Sequence, residues 1–177
     1  MSVLELKALC KQYNKEKESN PETAQSTRTK ISHKMNSLSP EDRFAFIEEF
    51  RNASIAVNGQ EPQTHTGYGV ARKVYCELLL EDLIGDAIRK LNLTQNNNGN
   101  SPEIPEIEKR LSTSLSRLHG DQLNAFARSV DSFKLNPDME QRAKNKHNHG
   151  LNVVKDALDK ERTGRNNPET QTANETC

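Results

Sequence analysis

The sequence Ile31-Ser-His-Lys-Met-Asn-Ser-Leu38 is followed 80 residues later by a stretch of the same pattern, Leu111-Ser-Thr-Ser-Leu-Ser-Arg-Leu118. The match continues without a gap, so that Ser39–Phe50 aligns with His119–Val130. Apolar positions three and four residues apart predict amphipathic helices on both sides of each turn. Most matched positions are apolar and few are identical, so the pattern is explained either by a duplicated helical hairpin or by two ordinary hairpins that match by chance.

Composition limits the size of the core and the classes of partner. Hydrophobic residues make up 32% of the 177 residues, below the roughly 45–50% of an average globular domain. The 25 basic and 25 acidic residues cancel, which removes any global attraction to nucleic acid or to an anionic membrane. No stretch approaches the ~20 apolar residues of a membrane span, so a membrane partner is not expected. Three distant cysteines suit reduced thiols in a cytoplasmic protein better than a disulfide framework.

Helical signals cover nearly the whole chain, and the predicted fold class is all-α. We expect a bundle of about six or seven helices, with two related helical-hairpin units around a long apolar helix that the first unit alone supplies. Ser39-Pro40 gives the clearest helix start, with a capping hydroxyl and a proline at the first helical position. The composition divides the chain into an N-terminal helix (1–20), a first unit (21–93), a polar linker (94–104), a second unit whose last helix opens at Asn136-Pro137 (105–162) and a disordered tail (163–177).

A glycine-containing loop precedes the long helix and is a candidate anion site. Backbone amides at a helix N-terminus favour negative groups, and two glycines allow a ligand to approach closely. The residues of this predicted nest are His65, Gly67, Tyr68, Gly69, Arg72 and Lys73. A lone Gly-x-Gly without a preceding strand is a weak signal, and the competing interpretation is a helix entry with Tyr68 as a packing anchor.

A second candidate region is the polar first half of the last helix. Its basic and imidazole side chains could bind an acidic partner; they are Arg142, Lys144, Lys146, His147 and His149. The two histidines are two residues apart and would point in different directions on a helix, which argues against a shared metal. Phe44 and Tyr68 lie off the main apolar stripes, so we predict that they are either exposed partner contacts or packed under loops.

No motif in the sequence indicates catalysis, a metal or a cofactor. Cys10 and Cys76 fall within apolar helical patterns, where burial makes a thiol inert. Neighbouring carboxylates such as Glu48-Glu49 diverge on a helix and do not form an acid/base pair.

The predicted function is therefore a non-catalytic protein-protein interaction module, such as an adaptor, chaperone, inhibitor or regulatory subunit, that binds another protein through a helical face. Its identity and the oligomeric state are not indicated. An alternative is a small bacterial effector, delivered into a host cell without a cleavable signal peptide and acting there with or without an enzymatic activity, since the polar tail resembles such substrates in composition. A weaker alternative is nucleic-acid binding through Arg142, Lys144 and Lys146.

Overall fold

The computed structural model of the chain describes residues 2–59, 66–96 and 99–166. Within these ranges all regular structure is α-helical, which confirms the predicted all-α class and the number of helices. No described helix combines the length and the apolar composition needed to cross a membrane. The seven helices are α1 (Ser2–Ser19), α2 (Pro21–Asn36), α3 (Pro40–Asn58), α4 (Gly67–Asn96), α5 (Glu103–Ser116), α6 (Gly120–Ser132) and α7 (Gln141–Asn166).

Local sequence signals explain where the first helices begin and end. The Ser39 hydroxyl accepts a hydrogen bond from the Asp42 amide at 3.1 Å, with Pro40 at the first helical position, which confirms the predicted start of α3. Asn20 caps α2 in the same way through the Thr23 amide. Gly59 ends α3 at φ 66°, a left-handed conformation that favours glycine.

The last helix differs from its prediction at both ends. It begins at Gln141 instead of Asn136-Pro137, because the Asn136 side chain accepts the Asp138 amide at 2.9 Å and holds a turn there. It also continues to Asn166, so the predicted disorder is wrong for 163–166. Arg165 stabilises this last turn by donating to the Leu115 and Ser116 carbonyls at the end of α5. The rest of the predicted tail, 167–177, lies outside the described residues.

The chain forms two compact units, and their boundary falls inside α4. Unit 1 comprises 1–79 and unit 2 comprises 80–177. The first half of α4 (67–79) therefore belongs to unit 1 and the second half (80–96) to unit 2. The expectation that the first copy alone supplies the long helix is wrong, because its two halves pack with different neighbours.

The aligned hairpins share both turns and buried positions. The turn between α2 and α3 and the turn between α5 and α6 fall at equivalent places, 37–39 and 117–119. Five aligned pairs are buried in their respective units: Ile31 and Leu111, Met35 and Leu115, Leu38 and Leu118, Phe46 and Phe126, Ile47 and Ala127. The repeated sequence pattern therefore corresponds to a repeated pattern of packing.

The structure extends this similarity to a fourth helix in each unit. In unit 1, a Cβ atom added to Gly67 would lie 2.3 Å from the Cys10 carbonyl oxygen of α1. In unit 2, a Cβ atom added to Gly150 would lie 3.0 Å from the Ile84 carbonyl oxygen of α4. Each unit thus ends with a helix that lies against its first helix at a glycine. Buried side chains follow both glycines at the same spacing, at Ala71 and Tyr75 and at Val154 and Leu158.

Alanine substitutions should rank the tolerance of three helical glycines. Gly67→Ala would force the backbones of α1 and α4 apart and should lower the free energy of unfolding by about 1–3 kcal/mol. Gly85→Ala, which meets nothing within 4 Å, should raise it by about 0.5–1 kcal/mol through helix propensity. Gly150→Ala should fall between them. Urea unfolding measures all three, and a Gly67→Ala protein as stable as Gly85→Ala would contradict the close contact.

Candidate functional site

In the described part of the predicted anion nest, the amides of both glycines already donate to side-chain oxygens of the protein. The Gly67 amide donates to Asn14 Oδ1 at 2.7 Å, and the Gly69 amide donates to Thr66 Oγ1 at 3.2 Å. These side chains cap the start of α4, so an anion would have to displace one of them. His65 lies outside the described residues, and the anion site remains a prediction.

Two nest residues, Tyr68 and Arg72, belong to the interior of unit 1. Tyr68 is fully buried and stacks on Phe50 with ring centroids 5.5 Å apart. The buried Arg72 guanidinium lies 5.4 Å from the Tyr68 ring centroid. The prediction that Tyr68 is an exposed partner contact is therefore wrong, and its interpretation as a packing anchor is confirmed. Phe44 is half-buried, 6.3 Å from the Tyr75 ring.

The basic segment of α7 is partly engaged within unit 2. Lys146 Nζ donates to Asn92 Oδ1 of α4 at 2.7 Å, and Lys144 Nζ donates to the Pro137 carbonyl at 2.7 Å. His147 Nδ1 lies 3.0 Å from the Ala143 carbonyl oxygen. Arg142 and His149 are exposed. Two of the three predicted cations thus already bind protein oxygens, which reduces the charge that this segment can offer to a partner.

The described cysteines belong to the core. Cys10 and Cys76 are buried, as the sequence predicted, and burial raises the pKa of the Cys10 thiol to about 12. The Cys10 thiol donates to the Gly67 carbonyl at 3.4 Å, where α4 crosses α1. Among the described residues no cluster of three or more histidine, cysteine or carboxylate side chains has a geometry that could hold a metal ion.

An open groove lies between α1 and α2, both in unit 1. Its volume is about 570 Å³, and it is lined by Glu5, Ala8, Leu9, Gln12, Lys30, His33, Lys34 and Ser37. Ala8 and Leu9 provide apolar surface along α1. Leu4, one helical turn before Ala8, is 80% exposed and is the only large hydrophobic side chain so exposed in the described part of the chain. We call this surface the α1–α2 groove.

A more polar groove lies on the other side of α2. It has a volume of about 300 Å³ and is lined by residues of α2 and the first half of α4, among them Arg28, His33 and Lys73. Lys73, a predicted nest residue, pairs here with Glu77 at 3.8 Å. His33 lines both grooves. The outer face of α2 is therefore an exposed basic ridge between two depressions.

Polar contacts fix the two helices that form the α1–α2 groove. Lys34 pairs with Glu5 across it and lowers the pKa of the Glu5 carboxyl. The buried Thr27 hydroxyl donates to Glu16 Oε2 at 2.6 Å, and Gln12 donates to Glu16 Oε1 at 2.6 Å. These hydrogen bonds, that of Thr27 above all, lower the pKa of Glu16. Contacts at both ends of the antiparallel pair, Glu5 with Lys34 and Glu16 with Thr27, thus hold α1 against α2.

Sequence reasoning did not find this groove. Its signal was present in α1, where Leu4 and Leu9 lie away from the buried positions Leu6 and Cys10. Spacing alone could not show that α2 packs antiparallel to α1 and leaves that second apolar strip open.

No protein-family model, curated protein or solved structure matches this chain.

Replacing Thr27 with valine should change how stability depends on pH. In the native protein the lowered pKa of Glu16 contributes stability above the unfolded-state pKa, and this contribution is lost as the pH falls through the folded pKa. Thr27→Val removes the main cause, so the variant should lose less stability than the native protein between about pH 7 and about pH 3. Its cost in the free energy of unfolding should be greatest near neutral pH, where the Glu16 carboxylate is ionised.

Urea unfolding at the two pH values measures this difference. Thr29→Val is a matched control, because Thr29 is exposed and its hydroxyl donates within α2 to the Gln25 carbonyl. A Thr27→Val cost that is the same at both pH values would contradict the role of the Glu16 carboxylate.

Proposed function

We propose that the protein is a non-catalytic interaction module that binds another protein through the α1–α2 groove. The main support for this proposal is the apolar surface that Ala8 and Leu9 give to the groove. The exposed Leu4 and basic side chains lie beside it. Exposed leucines occur singly on many proteins, but one that continues an apolar groove forms a larger strip that a partner can cover.

The groove has the dimensions of a helix-binding surface. Its α1 side runs from Leu4 to Gln12, which at 1.5 Å per residue is about 12 Å, or two helical turns. Ala8 is small, and a small side chain lets a partner helix approach closely. The ion pair of Lys34 with Glu5 and the hydrogen bond of Thr27 with Glu16 already hold α1 against α2. The surface therefore exists before a partner arrives, and little free energy is spent on ordering it during binding.

A long charged side chain in the groove should abolish capture of the partner. Ala8 is exposed on α1, so Ala8→Arg should leave the fold intact while its guanidinium occupies the space above Leu9. The measurement is affinity capture by the full chain from a lysate of the organism that encodes it, with the bound proteins identified by mass spectrometry. We expect at least tenfold lower recovery of the specific partner with Ala8→Arg.

Asn124→Arg is the matched control, because it adds the same charge to an exposed helical position of α6 in unit 2. Circular dichroism of both variants should show unchanged helix content. Equal recovery of every captured protein by Ala8→Arg and Asn124→Arg would overturn the proposed function of the groove.

A further inference from the structure

We infer that the ligand of the α1–α2 groove is an acidic amphipathic helix of another protein, whose carboxylates meet the basic edge of α2. This inference rests on the proposed function and adds the chemistry of the partner. It is drawn from the charge of the groove's edges, from the contrast with unit 2 and from the position of the apolar residues.

The first two helices are basic within a chain of zero net charge. From Ser2 to Asn36 there are seven lysines and arginines and four glutamates. Between Thr23 and Asn36 there is no acidic residue at all, while Arg28, Lys30 and Lys34 are present with His33. Opposite charge on a partner steers association and fixes its orientation, so this surface favours an acidic ligand.

In unit 2 the helix equivalent to α2 is α5, and its charged residues form ion pairs with α4. By the repeat, Arg28 corresponds to Glu108 and Lys30 to Arg110. Glu108 pairs with Lys90 at 2.6 Å and Arg110 pairs with Asp86 at 2.8 Å, so both positions tie α5 to α4. In the described part of unit 1, Arg28 and Lys30 are exposed and form no ion pair.

Two carboxylates of α1 close to this basic surface, Glu5 and Glu16, already bind other side chains of the protein. Glu16, whose pKa Lys30 also lowers slightly, has both oxygens hydrogen-bonded to Thr27 and Gln12. Glu5, the only acidic side chain that lines the groove, pairs with Lys34. Lys30, which lines the groove, is thus available to carboxylates of a partner, whereas Arg28 faces the polar groove on the other side of α2.

The apolar residues favour a helix over a lipid surface. Ala8 and Leu9 line the groove, and in the described residues Leu4 is the only large hydrophobic side chain that is strongly exposed. Membrane-binding helices insert several large apolar side chains. A partner helix instead reaches the groove with apolar residues spaced three and four apart, and its flanking glutamates or aspartates then lie against α2.

Selection from a displayed library of amphipathic helical peptides tests the inference with the full chain as bait. Peptides that bind the native protein and not Ala8→Arg are groove-dependent. We expect these peptides to carry more aspartate and glutamate than lysine and arginine beside their apolar positions. Fluorescence anisotropy then measures the Kd of one selected peptide.

A charge swap shows whether the attraction acts through Lys30. Lys30→Glu should raise the Kd of the selected peptide about tenfold, and replacing one acidic residue of the peptide by lysine should recover part of the lost affinity. Lys109→Glu is the matched control, because Lys109 is an exposed residue of α5 outside the groove, and it should change the Kd by less than about twofold. Raising the salt concentration should weaken binding to the native chain more than binding to Lys30→Glu.

The outcomes separate the two proposals. Groove-dependent peptides without an acidic excess would overturn the acidic partner and leave the groove as a binding site. Selection that yields no groove-dependent peptide would count against both. A concentration-dependent dimer in sedimentation velocity that Ala8→Arg abolishes, or groove-dependent binding to phosphatidylserine vesicles, would replace the acidic helix with a second copy or a membrane.

Discussion

The close contact between the first and fourth helices of each unit is the constraint from which the packing follows. In unit 1 the backbone of α4 at Gly67 touches the backbone of α1 at Cys10, a separation that leaves no room for a Cβ atom. Gly150 meets the second half of α4 in unit 2 almost as closely. Glycine at each contact lets two helix backbones approach where any side chain would hold them apart.

The two units repeat their packing and differ in their charges. Arg89, Lys90 and Asp86 of α4 form ion pairs with Glu103, Glu108 and Arg110 of α5, and burial raises the pKa of Asp86 against the opposing effect of these arginines. Among the described residues, the α1–α2 surface of unit 1 has one ion pair, Lys34 with Glu5, beside the hydrogen bonds of Glu16. Exposed ion pairs contribute little to stability, so the fold tolerates fewer of them between α1 and α2 than between α4 and α5. The two units therefore share buried positions and differ in the charges on their surfaces.

Apolar spacing and capping residues were sufficient to predict the helices, the start of α3 at Ser39 and the burial of Cys10 and Cys76, because these depend on neighbours within a few residues. Tyr68 was harder, since it follows a glycine-rich loop that looks exposed, whereas Phe50 and Arg72 enclose its ring. Lys144 and Lys146 looked like a free basic patch, but their partners Pro137 and Asn92 become neighbours only through the turn before α7 and through the packing of unit 2.

By itself the sequence determined the helical class, the repeated hairpin and the positions that face a core. Each of these follows from the 3.6-residue period of the helix and from side chains that cap their own helix ends. Only the tertiary structure decided that α4 is divided between two units, that Gly67 and Gly150 are contact points, and that α1 and α2 leave a basic-edged groove open. The glycine contacts join residues more than fifty positions apart, Cys10 with Gly67 and Ile84 with Gly150. The groove depends on which faces of α1 and α2 meet, and local periodicity encodes neither choice.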